Sequence, residues 1–307
     1  MSSSAHGRRF GRWTTGSKGR NGSVLRDGPM ARAMRIGGAD LVRAAEGRLQ
    51  LVPDQPTLYA EFAEYLIREI RQAIAEDRPC RMIVPVGPRG QYPVFVARCN
   101  AERIPLGHVH LFAMDEYCDW QGRWIDETDP LSFRGFLLRE VVGKLDPLLG
   151  FSTERLAVPD PLHLDAYQNR IASVGGVDAC FGGIGIHGHV AFNEPPLGPF
   201  GAWDTQDFLH SNTRIVALAP ETLVMNSIRA NGGDLEGMPP LAVTVGMADI
   251  RAARRIRLFC DGGAWQRTVL RRALFDVPSV QYPVTLLREH PDLQIIADAE
   301  TCGLPSV

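Results

Sequence analysis

The sequence predicts an α/β fold, one mainly parallel, doubly wound sheet with helices on both faces. Three observations lead there. From about residue 36, short apolar runs of strand length alternate with amphipathic stretches of helical period. No internal repeat and no linker interrupts that alternation, so residues 36–307 read as one domain. Three of the runs end in loops rich in Gly, Pro and polar residues, as ligand-binding strand ends in such sheets do. The expected architecture is therefore Rossmann-like.

The elements follow in order. "PTLYAEFAEYLIREIRQAIAEDR" places Leu58, Phe62, Tyr65, Leu66, Ile70 and Ile74 at helical spacing. "RMIVPV" is a strand, "PVFVARCNAE" a helix, "VHLFAMDEY" a strand and "LSFRGFLLREVVGKL" a helix. "LHLDAYQNRIASVGG" is helical and feeds the strand "DACFGGIGI". Strands "RIVAL", "LAVTVG" and "RIRLFC" come next, then the helix "AWQRTVLRRALF" and a last strand "LQIIAD". Residues 1–35, rich in Gly, Ser and Arg and without hydrophobic period, read as a disordered basic extension. A flexible tail, or a natural start at Met30 or Met34, accounts for it without nucleic acid.

The 307 residues suffice for a sizeable core, with 45% apolar and 22% charged composition. A net charge of −2 gives no case for nucleic acid or an anionic membrane. No apolar run approaches the ~18–20 residues that span a bilayer. Six scattered cysteines without a C-x-x-C pair read as reduced thiols of a cytoplasmic protein.

The three site loops are "VGPRGQYP", "MDEYCDW" and "IHGHVAFNEPP". The third invites three readings. Gly183-x-Gly185-x-x-Gly188 matches a dinucleotide turn in form, but Pro195 and Pro196 would stop the helix that such a turn must open. A metal site is the second reading, on His187 and His189, with Asp115, Glu116 and Glu194 as oxygen ligands. Nothing in the sequence fixes a third ligand, so no metal and no cofactor are expected, with a divalent metal on the two histidines as the lesser alternative. The third reading is acid/base chemistry on a small sugar.

"FGGIGIHGHVAFNEP" and "LFAMDEY" closely resemble the signatures of the glucosamine-6-phosphate deaminases (isomerases), a family whose superfamily includes the 6-phosphogluconolactonases. The resemblance runs from about Leu58 to "YPVTLLREHPDLQIIADAE", and "AFNEP" favours the deaminase branch. It implies a hydrolytic aldose–ketose isomerase of N-acetylglucosamine catabolism that opens an amino-sugar ring, moves a proton from C2 to C1 and releases ammonia. It makes Asp115 the base, His189 the ring-opening group and Glu194 its orienting carboxylate. Gly87, Arg89, Gly90, Glu116, Gly188, Asn193 and Arg214 are the expected substrate contacts, Asn193 more as a brace for the loop. The expected partner is a sugar, and a homo-oligomer is compatible with the family.

Two departures stand out. His187 occupies the place where the family has Asp, so the histidine at 189 loses its acidic companion; His187 is itself a catalytic candidate, able to relay a proton, grip a hydroxyl or anion, or complete a metal site. The first loop lacks the family's hydroxyl residues, and "CDGGAWQR" lacks its phosphate-binding Lys. Arg89 is the candidate replacement. The tryptophans of "CDWQGRW" could stack on a sugar or anchor a loop, and "GAWDTQDFLHSNTR" could form a lid. A lactonase or isomerase for a different, even unphosphorylated, sugar is the alternative enzyme. A non-catalytic sugar sensor is the alternative from another class.

Overall fold

A computed structural model describes residues 28–196 and 203–305. Its main sheet has seven strands: β1 (Leu49–Val52), β2 (Cys80–Val84), β3 (Val109–Ala113), β5 (Leu156–Ala157), β6 (Ala179–Gly183), β9 (Arg255–Cys260) and β10 (Leu293–Asp298). They lie in the order β1-β10-β9-β6-β2-β3-β5, and every pair is parallel. From β2 the chain winds outward through β3 to β5. It then returns to the other side of β2 as β6 and winds away through β9 and β10. The reversal between β2 and β6 is the switch point at which such sheets open a crevice at the strand ends.

Alternate residues of these strands face opposite layers. Met82, Val84, Phe181, Phe259 and Ile296 pack with the helix Gln55–Ala75. Ile83, Cys180, Leu258, Ile295 and Ala297 pack on the other face, with the helix Gln266–Phe275. The predicted helix coverage of both faces is thus present. The helix Gln55–Ala75 forms where the sequence signals it. Asp54 caps it by accepting from the Thr57 N–H at 2.8 Å, Pro56 sits in its first turn, and Leu58, Phe62, Leu66 and Ile70 line the buried side.

The strand expected over "VHLFAMDEY" is two strands. Met114 donates its N–H to the Val84 carbonyl of the main sheet, and its own carbonyl accepts from the Val245 N–H. The chain therefore changes partners there and continues as β4 (Asp115–Cys118). With β8 (Leu241–Thr244) and β7 (Arg214–Ala217), β4 builds a second, antiparallel sheet of order β4-β8-β7. "RIVAL" and "LAVTVG" are strands as expected, but of this small sheet. The helix expected over residues 131–145 breaks into a short α-helical turn (Phe133–Phe136), a π turn (Leu137–Val141) and a 3₁₀ turn (Val142–Lys144). Helices Gly38–Ala44 and Pro220–Ala230 carry no counterpart in the sequence reading.

Part of the expected 1–35 extension lies in the described region and is folded. Residues 1–27 are outside the described residues. Pro29–Ala33 is a short helix with Ala33 buried against the helix Gln266–Phe275. The reason is Arg271, fully buried, which donates to the carbonyls of Ala33, Ile36 and Gly303 at 2.8, 2.6 and 2.8 Å. A buried guanidinium must spend its donors on carbonyls, and here it finds them in two segments far apart in sequence. A second buried arginine, Arg81 at the start of β2, grips Asp178 before β6. Nε and Nη2 reach the two carboxylate oxygens at 3.0 and 2.8 Å, a bidentate pair that fixes β2 beside β6.

Candidate active site

At the β2/β6 reversal the strand-end loops enclose a cavity of about 320 Å³. Gly87, Arg89 and Gly90 line it from the loop after β2, Asp115 from β4, and Gly185 and His189 from the loop after β6. The three loops singled out in the sequence therefore converge. Tyr59, Asn226, Arg229, Asp261 and Gln266 complete the wall, and none of them stands out in the sequence. Gln266 is held in place twice: its amide donates to the Ile184 carbonyl at 2.7 Å, and its carbonyl accepts from the Gly262 N–H at 2.6 Å.

Asp115 is 7% exposed, and no described residue hydrogen-bonds its carboxylate. Burial, with a contribution from Glu116, holds its pKa well above the usual carboxylate range. A carboxyl group kept at the end of a strand without partners is costly to the fold, and such groups cluster at reactive sites. Glu116, its neighbour, points the other way along the alternating strand. It does not line the cavity. Its oxygens accept from the N–H groups of Tyr117, Phe133 and Arg134 and from the Ser132 hydroxyl, all at 2.7–2.9 Å. Glu116 thus anchors the turn at 132–134 to β4, and the expectation of a substrate contact gives way to a structural one.

The loop after β6 owes its shape to its glycines. Gly188 has φ +74°, and a Cβ there would stand 2.4 Å from the Tyr282 ring. A Cβ on Gly185 would stand 1.8 Å from His189 Nε2. The glycines thus make room for an imidazole and a left-handed turn, a use unrelated to a dinucleotide. Asn193 braces the loop, donating to the carbonyls of Val190 and Val245 at 3.0 and 2.9 Å, and does not line the cavity.

His189 is buried, and burial together with His187 pushes its pKa down to about 3. The imidazole is therefore neutral through the physiological range, where the sequence suggested a group titrating near neutrality. Glu194 is beside it but not bonded to it: Glu194 Oε1 lies 3.9 Å from His189 Nδ1, and Oε2 accepts from the Ala219 N–H at 2.5 Å. His187 is set back from the cavity, its Nε2 3.4 Å from Glu221 Oε2.

Arg89 lies over the Phe136 ring at 5.0 Å, and burial lowers its pKa. Among the described residues no carboxylate pairs with it. Arg229, by contrast, is paired: its Nη2 donates to Asp261 Oδ1 at 2.9 Å, while the Tyr59 hydroxyl donates to Asp261 Oδ2 at 3.1 Å. Arg214 is elsewhere, on β7, over the Trp203 ring and bonded to the Ser211 hydroxyl. It does not line the cavity, so its expected substrate contact is not formed in this arrangement. Trp124 is a loop anchor, donating to the Pro159 carbonyl at 2.8 Å with Arg134 over its ring. Trp120 is exposed on the surface. Of the stretch considered as a lid, Gly201 and Ala202 lie outside the described residues, and Thr205–Leu209 is a short helix.

No family model matches the chain. Curated proteins do. It is 31% identical over 270 residues to a glucosamine-6-phosphate deaminase of Porphyromonas gingivalis, across 83% of this chain and 92% of that protein. It is 29% identical to the enzyme of that name from Rhodopirellula baltica, across 83% and 95%. Among solved structures, a monomeric glucosamine-6-phosphate deaminase superposes with TM-score 0.70 at 21% identity, covering 84% of this chain and 99% of that one. A 6-phosphogluconolactonase from Trypanosoma cruzi gives TM-score 0.61 at 15% identity, covering 83% and 95%. These two structural likenesses speak for the fold.

Proposed function

The chain belongs to the glucosamine-6-phosphate deaminase family, and from that premise we propose that it is an amino-sugar-phosphate deaminase, converting glucosamine 6-phosphate or a close analogue to the ketose phosphate and ammonia. The observation that carries this reading is the pairing of two uncompensated groups in one cavity: the buried Asp115 carboxyl and the Arg89 guanidinium.

His189, neutral and at the cavity wall, takes the proton of the anomeric hydroxyl and returns one to the ring oxygen, opening the ring. Asp115 removes the C2 proton and delivers it to C1. Its raised pKa makes it a stronger base than an exposed carboxylate once ionised. Water then replaces nitrogen at C2, and ammonia leaves. Arg89, with the backbone of Gly87 and Gly90, holds the phosphate. A guanidinium fork supplies the donors that the family's lysine and hydroxyl residues supply elsewhere.

No redox cofactor takes part in this scheme. The substrate is a small sugar, with no role for nucleic acid or membrane. The six cysteines, all free and buried, support a cytoplasmic setting. No described helix is long and apolar enough to cross a membrane.

A second reading has its own support. The Asp261 carboxylate lines the same cavity and already occupies Arg229. A like charge there disfavours a phosphate at that end and suits a hydroxyl-bearing, unphosphorylated sugar or its lactone. The test is ammonia and ketose detection from purified protein given glucosamine 6-phosphate, glucosamine or a sugar lactone. Ammonia from the phosphorylated sugar alone supports the first reading. Turnover restricted to an uncharged sugar or lactone replaces it with the second.

A further inference from the structure

The loop after β6 gathers three groups that the proton transfers above leave partly unused. His187, His189 and Glu194 each offer one ligand-type atom, and these atoms all lie within 4.8 Å of one another. His187 Nδ1, His189 Nδ1 and Glu194 Oε1 are buried and have no hydrogen-bond partner. Buried polar atoms are nearly always paired, so three orphans on one turn ask for a common partner. A proton cannot serve, because the 3.9 Å between His189 Nδ1 and Glu194 Oε1 is beyond a hydrogen bond.

Each group is also held as a ligand would be. Glu194 has Oε2 fixed by the Ala219 N–H, which orients the carboxylate, and the Thr222 hydroxyl stands beside it. His187 has Glu221 3.4 Å from its Nε2. With its Nδ1 as the unpartnered atom, a carboxylate beside Nε2 is the arrangement that orients metal-binding histidines. Gly185 and Gly188 clear the space in which the His189 ring and the turn can sit.

We propose that His187, His189 and Glu194 form a binding site for a divalent transition ion of the zinc class. Two imidazole nitrogens and one carboxylate oxygen suit Zn²⁺ or Fe²⁺, whereas Mg²⁺ and Ca²⁺ require mostly oxygen. Zinc bonds of ~2.0–2.1 Å place tetrahedral ligand atoms ~3.3 Å apart, so the widest pair closes by up to ~1.5 Å on binding. The residue that departs from the family, histidine in place of aspartate, is the one that turns a proton-handling group into a nitrogen-rich ligand set. Because His189 also lines the cavity, an ion here adjoins the sugar site. Binding itself needs no sugar, so this inference stands whatever the substrate proves to be.

The test uses the full chain dialysed against a chelator and titrated with Zn²⁺ by calorimetry, with Co²⁺ as an absorption probe. The expected result is one ion per chain and the intense visible bands of four- or five-coordinate Co²⁺. His187→Ala and Glu194→Gln should each weaken binding ~100-fold or more, and Glu221→Gln, an exposed position that leaves the fold intact, ~10-fold. His163→Ala, on the surface far along the chain, should change nothing. Wild-type affinity in both His187→Ala and Glu194→Gln, or no saturable uptake by the folded wild type, overturns the proposal.

Discussion

Replacing Asp115 with Asn removes the proposed base while keeping the shape of the side chain. A positioned general base contributes ~10²–10⁴-fold to rate, and at 1.36 kcal/mol per decade the loss in kcat/KM corresponds to about 2.7–5.4 kcal/mol. The structure adds a second expectation of opposite sign. Because burial raises the folded-state pKa of Asp115, the folded chain binds more protons than the unfolded one between the unfolded value, ~3.9, and that raised value. Stability therefore falls as pH rises through this window, and the neutral amide escapes the loss. No hydrogen bond to the carboxylate is broken by the change. At pH 7 the Asn variant should melt at or above the wild type, by on the order of 1 kcal/mol or ~2–4 °C, and the gap should close near pH ~4. Coupled ammonia-release kinetics and thermal melts at both pH values read the two effects. A variant that retains more than a tenth of kcat/KM, or that melts several degrees lower at pH 7, would refute the assignment of a strained functional carboxylate.

Arg89→Leu should raise KM for the phosphorylated sugar ~10–100-fold, the ~1.5–3 kcal/mol of a charge-assisted hydrogen bond, with kcat nearly kept and no effect on an unphosphorylated analogue; equal losses on both sugars would remove Arg89 from phosphate binding. Gly185→Ala should drive a methyl into His189 and cut turnover at least ~10-fold at a stability cost of ~1–3 kcal/mol, since the added Cβ would lie 1.8 Å from Nε2; full activity in this variant would place the ring elsewhere during catalysis. Asp178→Asn should cost ~3–5 kcal/mol in a denaturant melt, because Arg81 would be left as a buried charge with a neutral partner. Burial pushes the Asp178 pKa up, but the Arg81 hydrogen bond and charge, with Arg78, outweigh it and hold the carboxyl below its usual range. Its stabilisation is thus present above the unfolded pKa of ~3.9 and lost as pH falls through the folded value, and the wild-type advantage should vanish in acid.

Residues with a strong local signal were legible without coordinates. The apolar runs of β2, β6, β9 and β10 are buried on both faces and read as strands for that reason. Arg89 and His189 sit on strand-end loops and Asp115 opens β4 directly after β3, and topology brings these positions together. What escaped depends on partners distant in sequence. Met114 divides one apolar run between two sheets because its N–H and carbonyl are claimed by Val84 and Val245. Glu116 looks as reactive as Asp115 until the four donors that saturate it are seen. Arg229 and Asp261 meet across 32 positions, and Tyr59 belongs to a helix whose period announces only its buried side. Arg214 follows a polar stretch and reads as a ligand, but strand pairing with Thr244 carries it away from the cavity.

The pairing of β1 with β10 bears on how the chain is made. Leu49 lies beside Ile295, and β1 has no other strand neighbour. The helix Pro29–Ala33 packs on Gln266–Phe275, Arg271 donates to the carbonyls of Ala33 and Ile36, and the Gly38 N–H donates to the Cys302 carbonyl. During synthesis from the N-terminus at ~5–20 residues per second, residues 29–52 therefore emerge well before the strand they pair with. Their partner in the sheet is not available until β10 has been made. Nascent chains halted before Leu293 should expose this segment to protease while β2 and β3, whose partners are at hand, are already protected. Synthesis of β10, more than any local propensity, is what closes this edge of the molecule.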